Sequence, residues 1–455
     1  MTSVLLIYPF FKPRRDRSVF RFPPLGISYV AASLRQVGHD VTLLDCTFLK
    51  REAALRLALE ARAEVVGIYS MVTMLDDSLW FARQLRGQSR LLVAGGPMPT
   101  CDPKLYLDEF DVVVRGEAEQ TMIELLEAYQ SGGALSAVAG IVLRKERSTQ
   151  ADTGLAFTND RSFRKDLDGI AFPARELLPN SEYIEYTKRK YGYSITTVMS
   201  TRGCPFRCEF CSNVVFGGSY RERSAANVVD EIEAALELGY ERISFADDVF
   251  TMKRERVVSV CDAILRRGLK FKWECLGRVD ALDAATADMM RQAGCTRIYF
   301  GIESGNEEVL ELMNKRITPG QARNAVRLAT AAGLEVGAFF ILFYPGDTES
   351  TVLETLHFAA SLPLDYLGLS MPYPLPGTAL YKRVKDSIHR DWRPEESAFG
   401  SHVLIFKSDF SETKMWFGIF KGQAQFRMRK RLGRLAPVFL PAFEKISDGV
   451  FRLLK

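Results

Sequence analysis

Three cysteines lie within eight residues of one another, in the stretch CPFRCEFC at residues 204–211. This CxxxCxxC spacing follows the apolar and threonine-rich run 195–199 and a break at Gly203. Thiolates are the usual ligands of iron–sulfur clusters, and a [4Fe–4S] cluster normally takes four of them. Three cysteines therefore leave one iron without a protein ligand. An open coordination position is where a bound metal can act on a substrate.

The alternative is a structural zinc site whose fourth ligand comes from elsewhere in the chain. Such sites more often combine one CxxC with a second CxxC or with a histidine pair, and neither follows in this sequence. The spacing therefore favours the cluster over zinc. We predict that Cys204, Cys208 and Cys211 are its ligands and the catalytic centre.

The same motif resembles that of the radical SAM superfamily, in which an aromatic residue such as Phe210 precedes the last cysteine. The resemblance covers about residues 190–390. It implies that the open iron binds S-adenosylmethionine (SAM). An external one-electron donor of the flavodoxin or ferredoxin type would reduce the cluster, and SAM would be cleaved to methionine and a 5′-deoxyadenosyl radical. That radical would take a hydrogen atom from a small organic substrate.

Composition sets wider bounds on the protein class. The chain has 455 residues, 47% of them hydrophobic and 25% charged, which is typical of a globular protein of two or three domains. A net charge of +4 does not indicate nucleic-acid binding. The eight cysteines do not form a disulfide pattern, and no apolar run is long enough to span a bilayer. We expect a cytoplasmic protein.

In the first 130 residues, apolar strands alternate with helices, which predicts an α/β domain with a doubly wound parallel sheet. Ligands bind beyond the carboxyl ends of such strands. This part resembles the Rossmann-like cobalamin-binding domain that precedes many radical SAM enzymes. The resemblance implies cobalamin contacts at residues that follow the strands, namely Leu25, Gly26, Ser70, Gly95, Gly96, Pro97, Thr100, Gly116 and Glu117.

Two departures from that family concern the cobalt ligand. The sequence has no DxHxxG motif, and Met98 stands where relatives often carry histidine. The alternative is a domain that has lost cobalamin and only shapes the active site.

From residue 195 the alternation restarts and gives six βα units. The resemblance implies a partial (β/α)6 radical SAM barrel followed by a small helical C-terminal cap. We predict a cobalamin-type domain at 1–145, a linker at 146–190, the barrel at 191–395 and the cap at 396–455.

Polar residues recur where these strands end, the edge at which parallel barrels hold their functional groups. Taken alone, each is typical of a helix cap, a turn or a surface ion pair. Asp247 and Asp248 replace the family's usual Gly-Gly-Glu, and Tyr344 replaces a small residue. The resemblance implies a SAM site formed by Phe210, Asp247, Asp248, Arg278, Glu303, Ser304, Tyr344 and Pro376.

The C-terminal segment has six basic residues and no acidic ones between 421 and 434, and an apolar stretch follows to residue 443. This pattern is compatible with peripheral membrane contact through 421–443. The alternative is a capping helix with a solvated basic face, since Pro437 and Pro441 interrupt a long helix.

Three functions follow from these resemblances. The first is cobalamin-dependent methylation of an unactivated carbon. The second is a radical SAM reaction without methylation, such as dehydration of an aminosugar diol or a rearrangement. The third is a non-catalytic cluster or corrinoid carrier. A carrier does not need to bind SAM, so the implied SAM-site residues from Asp247 to Ser304 argue against it.

Overall fold

The computed structural model describes residues 1–11, 21–144, 154–389 and 404–454. The chain divides into two compact units. The first unit comprises 1–197, 213–224 and 231–241, and the second comprises 198–212, 225–230 and 242–455. The boundaries predicted at 145/146 and 395/396 lie outside the described residues. The four-part division remains a prediction.

The first unit contains a seven-stranded sheet in the order β2-β1-β3-β4-β5-β6-β7. Neighbouring strands are parallel up to β5, and β6 and β7 add to the edge in antiparallel fashion. The strands are β1 Ser3–Tyr8, β2 Asp40–Asp45, β3 Val65–Tyr69, β4 Leu91–Gly95, β5 Val112–Val114, β6 Ile141–Arg144 and β7 Leu155–Phe157. The helices are α1 Leu25–Gln36, α2 Arg51–Glu60, α3 Leu75–Leu85, α4 Pro97–Cys101, α5 Glu119–Gln130 and α6 Asn180–Tyr191.

The apolar runs of the central strands β1, β3, β4 and β5 are buried along nearly their whole length. In β1, the four residues from Val4 to Ile7 are each at most 2% exposed. Residues of β1, β3, β4 and β5 pack with α1 and α5 into one core. Strands covered on both faces in this way are characteristic of parallel sheets. The predicted doubly wound sheet is confirmed.

The second half contains a six-stranded sheet in the order β15-β14-β13-β12-β11-β8. From β11 to β15, each strand pairs in parallel with the next. The strands are β8 Ile195–Val198, β11 Arg242–Phe245, β12 Lys272–Gly277, β13 Cys295–Glu303, β14 Glu335–Ile341 and β15 Tyr366–Ser370, with the short strands β9 Thr201–Arg202 and β10 Arg221–Glu222 after β8. This open, sequential order confirms the predicted partial (β/α)6 barrel.

Helices alternate with these strands and then form a C-terminal pair. They are α7 Ala225–Glu237, α8 Arg254–Arg266, α9 Ala284–Gln292, α10 Glu307–Leu312, α11 Pro319–Ala331, α12 Glu349–Ser361, α13 Ala379–Val384, α14 Glu412–Leu432 and α15 Ala436–Leu453. Short 3-10 helices occur at Val72–Met74, Pro103–Leu105, Leu135–Ala137, Arg175–Leu177, Phe250–Met252, Lys385–Ser387 and Gly433–Leu435.

The two prolines of the C-terminal segment do not break its helices where the sequence suggests. The chain turns at Gly433–Leu435, before Pro437. Pro437 falls in the first turn of α15, where its missing N–H removes no helical hydrogen bond, while Pro441 lies inside the same helix. Among the described residues, we find no helix whose length and hydropathy would let it cross a membrane.

Candidate functional site

The cysteine loop follows β9 and has no regular secondary structure. Cys204 and Cys208 are half-buried, Cys211 is largely exposed, and the backbone N–H of Cys211 donates to the carbonyl of Cys208 at 3.1 Å. Desolvation of its sulfur, together with nearby Cys208, Asp248 and Cys204, raises the pKa of Cys211. The three thiols therefore lie near enough to one another to interact electrostatically.

Glu209, between two of these cysteines, fixes the loop. Its carboxylate accepts a 2.7 Å hydrogen bond from the hydroxyl of Tyr344 and lies 3.0 Å from the guanidinium of Arg383. Its backbone N–H donates to Met313, and its carbonyl accepts from the N–H of Leu380. Segments after β13, β14 and β15 therefore hold the cysteine loop. The sequence analysis missed Glu209, although an acidic residue inside a metal-binding loop is a usable signal.

Asp247, at the end of β11, is 1% exposed. Its carboxylate accepts hydrogen bonds from the backbone N–H groups of Ser200 and Thr201, at 2.6 and 3.0 Å, and one from the Ser200 hydroxyl. It therefore fixes the segment that leads into the cysteine loop. Its neighbour Asp248 is exposed. Of the predicted aspartate pair, Asp248 is the residue whose side chain is open to a ligand.

Arg278, at the end of β12, lies directly beside the cysteine loop. Its guanidinium carbon is 3.5 Å from the ring centroid of Phe206, and the group forms an ion pair with Asp280 at 2.9 Å. It also donates to the carbonyl of Lys315 at 3.3 Å. These contacts within the protein hold the Arg278 side chain against the cysteine loop, and they do not require SAM.

A buried ion pair follows β13. Nζ of Lys315 lies 2.9 Å from Oε1 of Glu303, and these residues are 8% and 7% exposed. The lysine also lies 5.8 Å from the ring centroid of Phe210. A Cβ on Gly301 would approach Glu303 to 2.5 Å and Lys315 to 3.1 Å, so only glycine leaves room for this pair. The sequence analysis missed Lys315.

The backbone near the loop is unusually strained. Near the loop, φ is positive at four non-glycine residues, Glu303, Asn314, Arg316 and Phe343, with values of 70°, 51°, 54° and 64°. Such conformations cost about 1–3 kcal/mol each and concentrate at functional sites. Here they lie in the turns after β13 and β14, among the groups that contact the cysteine loop.

The remaining predicted SAM residues are mostly enclosed. Ser304 is 1% exposed and its hydroxyl pairs with that of Thr355 at 2.9 Å. Tyr344 is also 1% exposed, and its hydroxyl binds Glu209. Pro376 is buried and Phe210 is half-buried. The structure therefore brings Phe210, Arg278, Glu303 and Tyr344 around the cysteine loop, and their direct contact with SAM remains a prediction.

The residues present fit an iron–sulfur cluster. Cations lie close to the thiols, with Arg278 acting on Cys204 and Lys315 acting on Cys211, and they would offset the negative charge of three thiolates. A mononuclear metal site instead needs several ligands around one point. Among the described ranges, no group of three or more histidine, cysteine or acidic residues has that arrangement.

The predicted cobalamin residues of the first unit lie at or after the carboxyl ends of its parallel strands. Thr100 links two of these turns, because its hydroxyl donates to the carbonyl of Gly96 at 2.8 Å and accepts from the N–H of Gly116 at 3.0 Å. Gly26 has open space around its α-carbon, while Gly96 has φ 112° and leaves no room for a Cβ beside Ser70. Leu25, Gly95, Pro97 and Glu117 are half-buried.

Two members of that set are already engaged within the protein. Ser70 is fully buried, and its hydroxyl pairs with those of Tyr106 at 2.7 Å and Ser78 at 3.0 Å. Glu117 forms an ion pair with Arg221 at 2.9 Å. The half-exposed glycine turns therefore form the part of this edge that can accept a large planar ligand, since a backbone without side chains permits close approach.

Histidine ligation of cobalt is not supported at this edge. His39 is the one histidine in the first 197 residues of the sequence. It precedes β2, at the amino edge of the sheet, where its ring nitrogen lies 3.4 Å from the backbone nitrogen of Thr2. Met98 is 2% exposed and packs inward. The residues fit a corrinoid held through the glycine turns without a histidine ligand.

Comparison with known proteins agrees with this arrangement. The family model described as "Radical SAM superfamily" matches residues 198–359, and the "B12 binding domain" model matches residues 12–126. An uncharacterized methyltransferase of Pyrococcus horikoshii is 32% identical over 369 residues, covering 79% of this chain and 78% of the relative. This chain belongs to the radical SAM superfamily. It is of the type that carries an N-terminal B12-binding domain.

Two further similarities are more distant. The anaerobic magnesium-protoporphyrin IX monomethyl ester cyclase of Cereibacter sphaeroides is 26% identical, covering 85% of this chain and 64% of the relative. The structure of the radical S-adenosylmethionine methyltransferase TsrM from Kitasatospora setae, with cobalamin and a [4Fe–4S] cluster bound, has a TM-score of 0.71 at 19% identity, covering 85% of this chain and 75% of that one. The second similarity supports the fold.

The predicted family, fold class and enzyme class are therefore confirmed. The chain is a radical SAM enzyme of the cobalamin-dependent, methyltransferase-like kind, and its family cofactors are a [4Fe–4S] cluster, SAM and cobalamin. The roles of individual residues remain predictions.

Proposed function

We propose that this enzyme transfers a methyl group to an unactivated carbon of a small organic substrate. One joint observation carries the proposal. The same chain has three thiols on a fixed strand-end loop and, in its first unit, glycine turns that can accept a corrinoid. The methyltransferase name of the Pyrococcus relative supports it.

In this proposal the three cofactors supply a hydrogen-abstracting radical and a transferable methyl group, and a flavodoxin- or ferredoxin-type donor supplies the electron. Cys204, Cys208 and Cys211 hold the cluster, and Glu209 keeps their loop in place through Tyr344 and Arg383. Arg278 and Lys315 balance its charge. The exposed carboxylate of Asp248 is suited to the SAM amino group, because opposite charges attract.

The first experiment tests the radical chemistry. Anaerobically reconstituted enzyme, given SAM and a strong reductant, is expected to produce 5′-deoxyadenosine, measured by mass spectrometry. Cys208→Ala is expected to abolish the product. If iron-loaded wild-type enzyme leaves SAM intact under these conditions, the proposed chemistry is wrong. A carrier without catalytic activity would give this negative result.

The second experiment separates methylation from other radical outcomes. Cells supplied with hydroxocobalamin are expected to yield purified enzyme with the visible absorbance of a corrinoid. Enzyme that forms 5′-deoxyadenosine but retains no corrinoid would instead support a non-methylating reaction. The cyclase relative is the observation that favours this second candidate.

A further inference from the structure

Exposed apolar side chains concentrate on the last two helices. Of the eighteen large hydrophobic residues that are exposed in the described part of the chain, eight fall between residues 416 and 453. They are Trp416, Phe420, Leu435, Val438, Phe439, Ile446, Val450 and Leu453. Single exposed apolar residues are common on protein surfaces, whereas a concentration of them marks an interaction site.

On α15, five of these residues share one side of the helix, which we call the apolar face of α15. At about 100° per residue, they fall within an arc of about 120°. Ala436, Ser447 and Phe451 lie on the other side and are buried. The helix is therefore packed on one side and uncovered on the other. The face consists of Val438, Phe439, Ile446, Val450 and Leu453, which are 69%, 52%, 70%, 40% and 83% exposed.

After the exposed acid Glu412 that begins α14, the exposed charges of the two helices have one sign. From residue 413 to 454, every exposed charged side chain that the structure describes is basic, namely Arg427, Lys430, Arg431, Lys445 and Arg452. The two acidic residues of α15 are half-buried, with Glu444 accepting from Gln425 at 3.0 Å and Asp448 paired with Lys421 at 3.0 Å. By helical spacing, Lys445 and Arg452 border the apolar face of α15. Surfaces of soluble domains usually mix both signs.

An apolar helix face bordered by cations suits an anionic membrane surface. A second copy of this chain would place these cations against one another, which disfavours self-association. A bilayer containing anionic lipids offers acyl chains to the apolar face and negative headgroups to the arginines and lysines. We propose that the apolar face of α15 lies in the plane of an anionic membrane interface, so that the enzyme binds the membrane peripherally. This inference does not depend on the proposed reaction.

Vesicle flotation tests the inference. The full-length protein is expected to float with phosphatidylcholine vesicles that contain phosphatidylglycerol, and to do so less as salt increases. Phe439→Ser combined with Ile446→Ser is expected to lower the partition coefficient by roughly tenfold or more, because two large apolar groups no longer enter the bilayer. The matched control is Leu265→Ser, which changes a leucine of α8 that is 42% exposed and is expected to leave flotation unchanged.

A second variant keeps the test independent of folding defects. Lys445→Gln with Arg452→Gln leaves the apolar side chains of this face intact. It is expected to weaken binding to anionic vesicles and to leave binding to pure phosphatidylcholine vesicles unchanged. The inference is overturned if wild-type protein does not float with anionic vesicles at low salt, or if the serine variant floats as well as wild type. It is also overturned if light scattering shows a wild-type dimer that becomes monomeric in the serine variant.

Discussion

At the scale of single residues, Glu209 gives the cysteine loop its position. Glu209→Ala removes the acceptor for the hydroxyl of Tyr344, which is 1% exposed and would lack a partner at a cost of about 1–3 kcal/mol. We expect the loop to shift and the iron content after anaerobic reconstitution to fall about severalfold, as outer contacts of metal ligands affect metal affinity. Iron and sulfide analysis measures this.

The matched variant is Glu209→Gln, whose carbonyl oxygen can still accept from Tyr344. It is expected to retain more iron than Glu209→Ala. Equal iron content and an unchanged cluster spectrum in all three proteins would contradict a positioning role for Glu209.

Asp347, in the turn before α12, gives a prediction about pH. Burial raises its pKa from the ordinary 3.8 to about 6, although Thr351 and the N–H groups of Tyr344 and Phe343 donate to it. Between pH 4 and 6 the folded state therefore binds more protons than the unfolded state, and this group makes stability fall as pH rises through that window.

Asp347→Asn removes this titration. The free energy of unfolding of this variant minus that of wild type is expected to increase from pH 4 to about pH 7 and then to stay level. The total increase is at most about 3 kcal/mol. Any lost hydrogen bond adds only an offset that does not depend on pH. Urea unfolding at several pH values measures the difference, and a constant difference from pH 4 to 7 would refute the prediction.

At the scale of elements, the end of β11 carries a buried aspartate, Asp247, and an exposed one, Asp248, which we propose to contact SAM. Asp247→Ala leaves the buried N–H groups of Ser200 and Thr201 without their acceptor. We expect a loss of about 1–3 kcal/mol in stability and a displaced cysteine loop. Asp248→Ala changes an exposed side chain, so it is expected to weaken SAM binding without lowering the melting temperature. Calorimetry of SAM binding and thermal unfolding distinguish the two. A fall in melting temperature for Asp248→Ala alone would reverse the assignment.

The parallel strands were predictable because each is a short, buried apolar run ended by a turn. In the sequence, the apolar runs 41–45, 112–114 and 366–371 coincide within a residue or two with β2, β5 and β15. Most residues of α6 are polar, and its few apolar residues, such as Tyr183, do not predict an amphipathic helix. The helix was therefore not predicted. Propensity is a weak signal where tertiary packing decides the structure.

The candidate site was predictable only in part, for a physical reason. The cysteine spacing is local, so the sequence indicates the cluster directly. Lys315 pairs with Glu303 across a bulge in β13 and an intervening helix, and no local pattern indicates that contact. The sequence also cannot show that Asp247 accepts hydrogen bonds from Ser200 and Thr201, or that the hydroxyl of Tyr344 donates to Glu209.

At the scale of the whole molecule, the first unit depends on a buried charge network that joins distant segments. The carboxylate of Glu231, 1% exposed, contacts the guanidinium groups of Arg175 and Arg223, which are 5% and 6% exposed. It also accepts from the hydroxyl of Tyr29 at 3.2 Å. One carboxylate thus neutralises two buried cations that lie about fifty residues apart in sequence.

Removing the carboxylate leaves two buried cations without their shared partner, which is more costly than losing the same contact at the surface. We therefore expect Glu231→Ala to lower the free energy of unfolding by about 3–5 kcal/mol. The control is Glu60→Ala, which removes an ion pair with Arg56 whose side chains are 63% and 70% exposed, and it is expected to cost at most about 1 kcal/mol. Urea unfolding compares the three proteins. Equal losses in both variants would mean that Glu231 is solvated like a surface residue, and the network would then contribute little to holding these segments together.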